Sequence, residues 1–172
     1  MTAPHIIVDV QVLRPGAKLP EYKSDGAAGM DLYALTDDVR ISDSVYRLSS
    51  DDRGCCDFDL CTGGRVLVPT GIALAISQGW EGQIRPRSGL ALRDGLTVLN
   101  TPGTIDSDYR GEVKVLLVNL GSEPVTIRRG DRIAQIVFCP VARATLRRVD
   151  VMPATGRGEG GFGSSGRRDT SE

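Results

Sequence analysis

The chain has few aromatic residues, one histidine and almost no net charge, and these shortages restrict the kind of core and the classes of function that the sequence can support. Aromatic side chains make up 5% of its 172 residues, so any core must be built mainly from aliphatic ones. The 21 Lys and Arg nearly balance the 22 Asp and Glu, which leaves a formal net charge of -1. Because nucleic-acid-binding proteins concentrate positive charge on one face, this balance argues against a dedicated nucleic-acid binder.

Long apolar runs are also missing. No stretch approaches the roughly 18–20 apolar residues that a membrane-spanning helix needs, so the sequence predicts no membrane partner. The first residues lack the basic segment that begins a signal peptide. With four cysteines and no sign of secretion, we expect reduced thiols and a cytoplasmic location.

Short β-branched or alternating runs are what the chain has in abundance, and they predict strands. Turn-forming triplets such as Pro69-Thr70-Gly71 separate them, and only Leu90–Asp94 is suited to a short helix. This pattern predicts an all-β, jelly-roll-like barrel or sandwich over residues 1–153. The predicted strands are Ile6–Leu13, Val66–Val68, Gly71–Ser77, Gly82–Arg85, Leu96–Leu99, Glu112–Asn119, Val125–Ile127, Ile133–Phe138 and Thr145–Val151.

Residues 42–64 fall outside this strand pattern and are interpreted as an inserted surface loop. They contain Cys55, Cys56 and Cys61, which raises the alternative of a metal site or a vicinal disulfide. The spacing matches no zinc module, and His5 is distant in sequence. A long loop is also a common place for a partner-binding role.

The second segment outside the pattern is the glycine-rich end of the chain, residues 154–172. Six of the eleven residues in Gly156–Gly166 are glycine, so the segment cannot build a core. Arg157, Phe162 and the hydroxyls of Ser164 and Ser165 suit a polyphosphate and a flat ring. A lid over a nucleotide and a disordered tail are both compatible with this composition.

Three interior segments carry further polar groups. Arg87, Ser88 and Gly89 follow a predicted strand. Their side chains and backbone are suited to binding an anion, and the same residues are also typical of a turn that ends a strand. Asp106 and Asp108 would share a face if their segment is extended, although Asp and Ser also favour polar turns. Gln135 is an amide inside an apolar strand, which requires either a core partner or a ligand.

Together, five segments in order resemble the motifs of the trimeric dUTPase family. They are Ala27–Leu32, Pro86–Ala91, Asn100–Gly111, Arg132–Phe138 and Gly156–Gly166. The resemblance implies an all-β homotrimer that uses Mg²⁺ to hydrolyse dUTP to dUMP and pyrophosphate. That reaction keeps uracil out of DNA and supplies dUMP for dTMP synthesis. It also implies active sites shared between subunits, with the tail of one chain closing a pocket formed by the others.

The same resemblance assigns roles to individual residues. Asp106 would activate the attacking water, and Arg157 would stabilise the charge that develops on the phosphates. Tyr109 would lie under the deoxyribose and exclude a 2′-OH, and Phe162 would stack on the uracil. Asn100, Thr104 and Ile105 would contact the uracil. The triphosphate would be held by Arg87, Ser88, Gly89, Gln135, Gly163, Ser164 and Ser165.

The metal would be held mainly by the triphosphate and water, with Asp31 nearby. The alternative to this place near the metal is a structural role, in which Asp31 forms an ion pair with an arginine such as Arg132. Two other functions remain open. One is a dCTP deaminase-type enzyme of the same fold, and the other is a nucleotide-responsive binding module acting through residues 42–64.

Overall fold

The computed structural model describes residues 5–39, 45–50 and 56–161, and the regular secondary structure in these residues is almost entirely β. Helical structure in them is confined to α1 (Ser88–Asp94) and a 3-10 turn at Thr36–Asp38. The strands are β1 (Asp9–Val12), β2 (Met30–Tyr33), β3 (Val45–Ser50), β4 (Cys56–Leu60), β5 (Arg65–Ala75), β6 (Trp80–Arg85), β7 (Leu96–Val98), β8 (Gly103–Ile105), β9 (Glu112–Asn119), β10 (Val125–Ile127) and β11 (Arg132–Pro140).

The strands form three antiparallel sheets. Their orders are β1-β5-β9-β7, β10-β4-β3 and β2-β11-β6-β8. Neighbours in a sheet are often distant in sequence, as where β11 lies between β2 and β6. The predicted all-β, jelly-roll-like fold is confirmed. None of the helices in the described residues is long and apolar enough to cross a membrane.

One aliphatic core joins the three sheets, as the scarcity of aromatic residues predicts. Leu60, Ile72, Leu117 and Ile136 come from four different strands, and each is 0% exposed. Period-2 alternation in β7, β8 and the first half of β9 places one face of each of these strands against the core, which leaves the other face available to line a site. Phe58, 1% exposed, is the largest of its fully buried side chains.

Residues 65–75 form one long strand, where the sequence predicted two strands separated by a turn at Pro69-Thr70-Gly71. The register of β5 against β9 shifts between Pro69 and Ala73, so the irregularity is a bulge. Gly71 has φ of 76°, and a Cβ there would lie 2.6 Å from Ala17 and from Leu35. Its amide donates to the Glu112 carboxylate at 2.9 Å, which satisfies the backbone at the bulge.

The prediction that residues 42–64 lie outside the β pattern is wrong. β3 pairs with β4, and β4 pairs with β10, so this segment forms two strands of the three-stranded sheet. In β4, Phe58 and Leu60 are buried while Asp57 and Asp59 are half-buried, which is the alternation of a strand covering the core. The acidic and cysteine residues around the hairpin concealed that alternation in the sequence.

Thr145–Val151 was also predicted wrongly, since these residues form no strand. Contacts divide the chain into two compact units, residues 1–142 and 143–172. In the second unit Leu146 is 94% exposed and Val151 83% exposed. A strand needs a partner for its backbone N–H and C=O groups. β-Propensity alone, without such a partner, did not produce a strand here.

Candidate active site

A pocket of about 330 Å³ opens beside the hairpin that follows β8, and we call it the hairpin pocket. β8 pairs with β6 through Gly82–Ile105, Gln83–Thr104 and Ile84–Gly103, which fixes one wall. The outward faces of β5 and β9 form the other wall. Its lining residues are Leu67, Ile84, Asn100, Gly103, Thr104, Ile105, Asp106, Tyr109, Glu112, Lys114 and Leu116.

Asp106 is exposed at the mouth of this pocket, directly after β8 ends. The Tyr109 amide donates to the Asp106 carbonyl at 3.1 Å, so the chain turns over Ser107 and Asp108. Of the two alternatives that the sequence left open, the segment therefore adopts the polar turn and not the extended conformation that would place Asp106 and Asp108 on one face. Asp106 lines the pocket, whereas Asp108 occupies the turn and does not.

The turn also presents the Tyr109 ring to the pocket. Its hydroxyl donates to the backbone carbonyl of Glu112 at 3.0 Å, and the side chain is 42% exposed. Gly111 leaves the space that the hydroxyl occupies, because a Cβ there would lie 2.4 Å from the Tyr109 oxygen. The ring is thus held at one edge and free on the face that lines the pocket.

Asn100 lies in the turn between β7 and β8, with its side chain close to Gly103. A Cβ at Gly103 would lie 3.1 Å from the Asn100 amide nitrogen, so the glycine lets the amide approach the backbone of β8. Asn100, Thr104, Ile105, Asp106 and Tyr109, all nominated from the sequence, therefore line one pocket. Hydrogen-bonding groups, a carboxylate and an aromatic face converge there around an aliphatic wall.

A second group, the arginine cluster of Arg87, Arg132 and Asp31, lies at the ends of β6, β11 and β2. Arg87 Nε is 3.1 Å from one oxygen of Asp31, and Arg132 Nη1 is 3.0 Å from the other. Arg87 Nη1 also donates to the Arg132 carbonyl at 3.0 Å. The ion pair between Asp31 and Arg132, the structural alternative from the sequence, is thus present.

Gln135 lies beside this cluster, because it pairs in register with Asp31 on β2 and with Arg85 on β6. Its amide nitrogen donates to the Pro86 carbonyl at 2.9 Å. A Cβ at Gly29 would lie 2.6 Å from its amide oxygen, so the glycine makes room for the side chain. Ser88 and Gly89 begin α1 at the end of β6. None of Arg87, Ser88, Gly89 and Gln135 lines the hairpin pocket.

Arg157 lies in the second unit, in a turn over residues 156–159. Its Nε donates to the Gly160 carbonyl at 2.7 Å, and the Gly160 amide donates to the Arg157 carbonyl at 3.1 Å. The turn is exposed. The other nominated tail residues, Phe162, Gly163, Ser164 and Ser165, lie outside the described residues.

No group of three or more His, Cys, Asp or Glu side chains suited to a metal ion occurs within residues 5–39 and 56–161. Asp31 has both carboxylate oxygens engaged by arginines, which does not suit direct metal ligation. Cys61 is a free, half-buried thiol. Cys55 lies outside the described residues, as does the side chain of Cys56, so the proposed cysteine metal site stays untested.

Sequence reasoning missed Glu112 as a component of the pocket. Its carboxylate receives the Gly71 amide and pairs with Arg14 and, at 3.6 Å, with Lys114. The side chain is 14% exposed, so it is mostly buried against these donors. In the sequence, Glu112 is marked only by its position directly after Gly111. That position does not indicate a role until the contact between the Glu112 carboxylate and the Gly71 amide is known.

Comparison with known proteins agrees with this arrangement. A family model described as dUTPase matches residues 53–166. A deoxyuridine 5'-triphosphate nucleotidohydrolase of Anaeromyxobacter sp. is 54% identical over 153 residues, which cover 89% of this chain and 90% of the relative. An enzyme of the same name from Mesorhizobium japonicum is 53% identical over 151 residues, covering 88% of this chain and 84% of the relative.

Solved structures show the same fold at much lower sequence identity. The Staphylococcus bacteriophage 80alpha dUTPase with dUPNHPP aligns with a TM-score of 0.70 and 24% identity, over 93% of this chain and 98% of that one. The dUTPase from phage phi11 of S. aureus aligns with a TM-score of 0.68 and 19% identity, over 87% of this chain and 100% of that one.

Proposed function

This chain belongs to the dUTPase family and is a dUTP diphosphatase, which hydrolyses dUTP to dUMP and pyrophosphate, and we propose that the hairpin pocket holds the deoxyuridine. The observation that carries this proposal is the convergence of Asn100, Thr104, Ile105, Asp106 and Tyr109 on one cavity of about 330 Å³. The activity would keep uracil out of DNA and supply dUMP for dTMP synthesis.

In this scheme Asp106 is the general base. Its carboxylate is exposed at the pocket mouth, where a water molecule can reach it, and it removes a proton as that water attacks the α-phosphorus. A positioned base of this kind contributes about 10²–10⁴ in rate. The adjacent turn holds Asp106 at the pocket while directing Asp108 away from it.

The base and the sugar are recognised by neighbouring groups of residues 100–109. Asn100 and the backbone of Thr104 and Ile105 supply donors and acceptors for the uracil edge. Tyr109 packs under the deoxyribose and leaves no room for a 2′-OH. From the tail, Phe162 stacks on the uracil, a contact worth about 1–3 kcal/mol for stacked bases elsewhere.

The triphosphate is held by cationic and hydroxyl groups outside the hairpin pocket. Arg87, Ser88, Gly89 and Gln135 contribute from the β6 and β11 ends, with Arg87 oriented by its ion pair to Asp31. From the tail come Arg157, Gly163, Ser164 and Ser165, and Arg157 stabilises the charge that develops during transfer.

Mg²⁺ is the proposed cofactor, held mainly by the triphosphate and water with Asp31 at most an indirect neighbour. This assignment fits the absence of a protein cage of carboxylates within residues 5–39 and 56–161 and the preference of Mg²⁺ for phosphate and water ligands. When bound, the ion neutralises part of the triphosphate charge and so eases attack at phosphorus.

We propose that the active protein is a homotrimer with shared sites. The proposal is supported by the resemblance of the five motifs to those of trimeric dUTPases, and the hairpin pocket and the arginine cluster would each supply part of such a shared site. The tail of residues 154–172, a separate segment from the barrel of residues 1–153, would come from another subunit. The cytoplasmic location stays a prediction from the sequence.

Pyrophosphate release with dUTP, UTP, dCTP and dTTP, each with Mg²⁺ or with EDTA, tests this function. We expect rapid release from dUTP, little from the other three nucleotides, and loss of activity with EDTA. Ammonia from dCTP would instead indicate the deaminase of the same fold. Tight dUTP binding without any product would indicate the nucleotide-responsive binding module.

A further inference from the structure

Two features of the surroundings hold the Tyr109 ring in place. The first is the backbone carbonyl of Glu112, which accepts the Tyr109 hydroxyl at 3.0 Å. The second is the missing side chain of Gly111. A Cβ there would lie 2.4 Å from the hydroxyl oxygen, 2.6 Å from Cζ and 3.0 Å from Cε2. Contacts this short do not occur between real atoms, so the ring would have to move.

The backbone that Tyr109 rests on is itself fixed. The Glu112 carboxylate accepts the Gly71 amide at 2.9 Å and pairs with Arg14 and Lys114. Glu112 begins β9, whose ladder with β5 continues from there. Because its side chain and its strand are both anchored, the Glu112 carbonyl cannot follow a displaced tyrosine. A methyl group at residue 111 would therefore shift the ring relative to the pocket.

We propose that Gly111 is a specificity-determining position: its lack of a side chain lets the Tyr109 ring lie where it excludes a ribose 2′-OH. The inference rests on the proposed role of Tyr109 in sugar selection. Gly111 does not touch the nucleotide in this scheme; it is a positioning residue that acts through the ring. Its φ lies outside the left-handed region, so alanine is compatible with the backbone itself.

The test is a double-mutant cycle with Gly111→Ala, Tyr109→Ala and the variant carrying both. The measured quantity is the ratio of kcat/KM for dUTP to kcat/KM for UTP, from pyrophosphate release. Misplacing a positioning group by about 1 Å costs up to about 10²-fold. We expect Gly111→Ala to lower the ratio about 10- to 100-fold by moving the ring. In the Tyr109→Ala background, where no ring remains to be moved, the same substitution should leave the ratio unchanged.

Gly26→Ala is the matched control. A Cβ at Gly26 meets nothing within 4 Å and its φ is also outside the left-handed region, so the wild-type ratio should be kept. If Tyr109→Ala keeps the wild-type ratio, the role of Tyr109 in the proposed function fails, and the inference falls with it. If Tyr109→Ala lowers the ratio but Gly111→Ala does not, only the inference fails.

Folding of each variant is checked by circular dichroism and thermal melting. If Gly111→Ala does not fold alone but folds when Tyr109 is also alanine, the clash with the ring is the cause of the unfolding. That result supports the inference. If neither Gly111→Ala nor the double variant folds, Gly111 serves the backbone rather than Tyr109, and the inference is overturned. A ratio lowered equally in both backgrounds overturns it as well.

Discussion

Asp106 and Asp108 show how little in the sequence separates a carboxylate that lines the pocket from one that does not. They stand two residues apart, but the turn closed by the Tyr109 amide places only Asp106 on the hairpin pocket. The sequence offers both as candidates, since alternation in an extended segment would present them together. The local hydrogen bond decides between them.

Asp106→Asn should therefore leave a folded protein that still binds dUTP but turns it over at least about 10²-fold more slowly, because an amide cannot take the proton from water. Asp108→Asn is the matched control and should change kcat by much less. Single-turnover pyrophosphate release, with nucleotide binding measured separately, checks both variants. Near-normal kcat in Asp106→Asn would remove this carboxylate from the mechanism.

At the level of elements, the β3–β4 hairpin is the largest departure from the sequence expectation. A segment interpreted as a surface loop provides two strands of the sheet that also contains β10. Phe58 and Leu60 of β4 are among the most buried side chains of the core. The hairpin is thus part of the fold, whatever additional role its cysteines have.

Phe58→Ala should lower the free energy of unfolding by about 3–5 kcal/mol, because it removes a large aromatic side chain from a close-packed core. Asp57→Ala on the same strand is the control. Its carboxylate is 33% exposed and lies 3.7 Å from Arg128, so its loss should cost about 0–1 kcal/mol. Urea unfolding at a fixed protein concentration measures both. Equal effects would show that the hairpin does not contribute to the core.

For the whole molecule, the division at residues 142 and 143 separates the folded body from the segment that carries Arg157. The core residues all lie in the first unit. The described residues of the second unit are nearly all exposed. Stability should therefore depend on the first unit, whereas the proposed chemistry needs residues of both units.

A chain ending at Thr155 should keep its fold and the proposed trimeric state but lose most of its activity, because Arg157 and the proposed Phe162 stack are removed. Ordering so glycine-rich a segment costs about 1–2 kcal/mol per residue, which only a bound nucleotide would offset. Sedimentation, thermal melting and pyrophosphate release test this, with full-length Arg157→Ala as the matched control. Full activity in the truncated chain, or its dissociation into monomers, would contradict the prediction.

The sequence by itself determined the fold class, the family and the nominated residues. Strand periodicity, turn residues and ordered motifs are local properties of the chain, and they are readable without contacts. Strands β6, β9, β10 and β11 were predicted within two residues of their ends.

Tertiary structure alone decided which residues meet. β4 is a strand because β3 and β10 supply hydrogen-bond partners, while Thr145–Val151 forms none. Asp31 is held by two arginines from distant segments, and Glu112 is joined to a bulge 41 residues earlier in the chain. Such contacts depend on which strands pair and in which register. No local pattern encodes that choice, because it is set by the packing of the whole core.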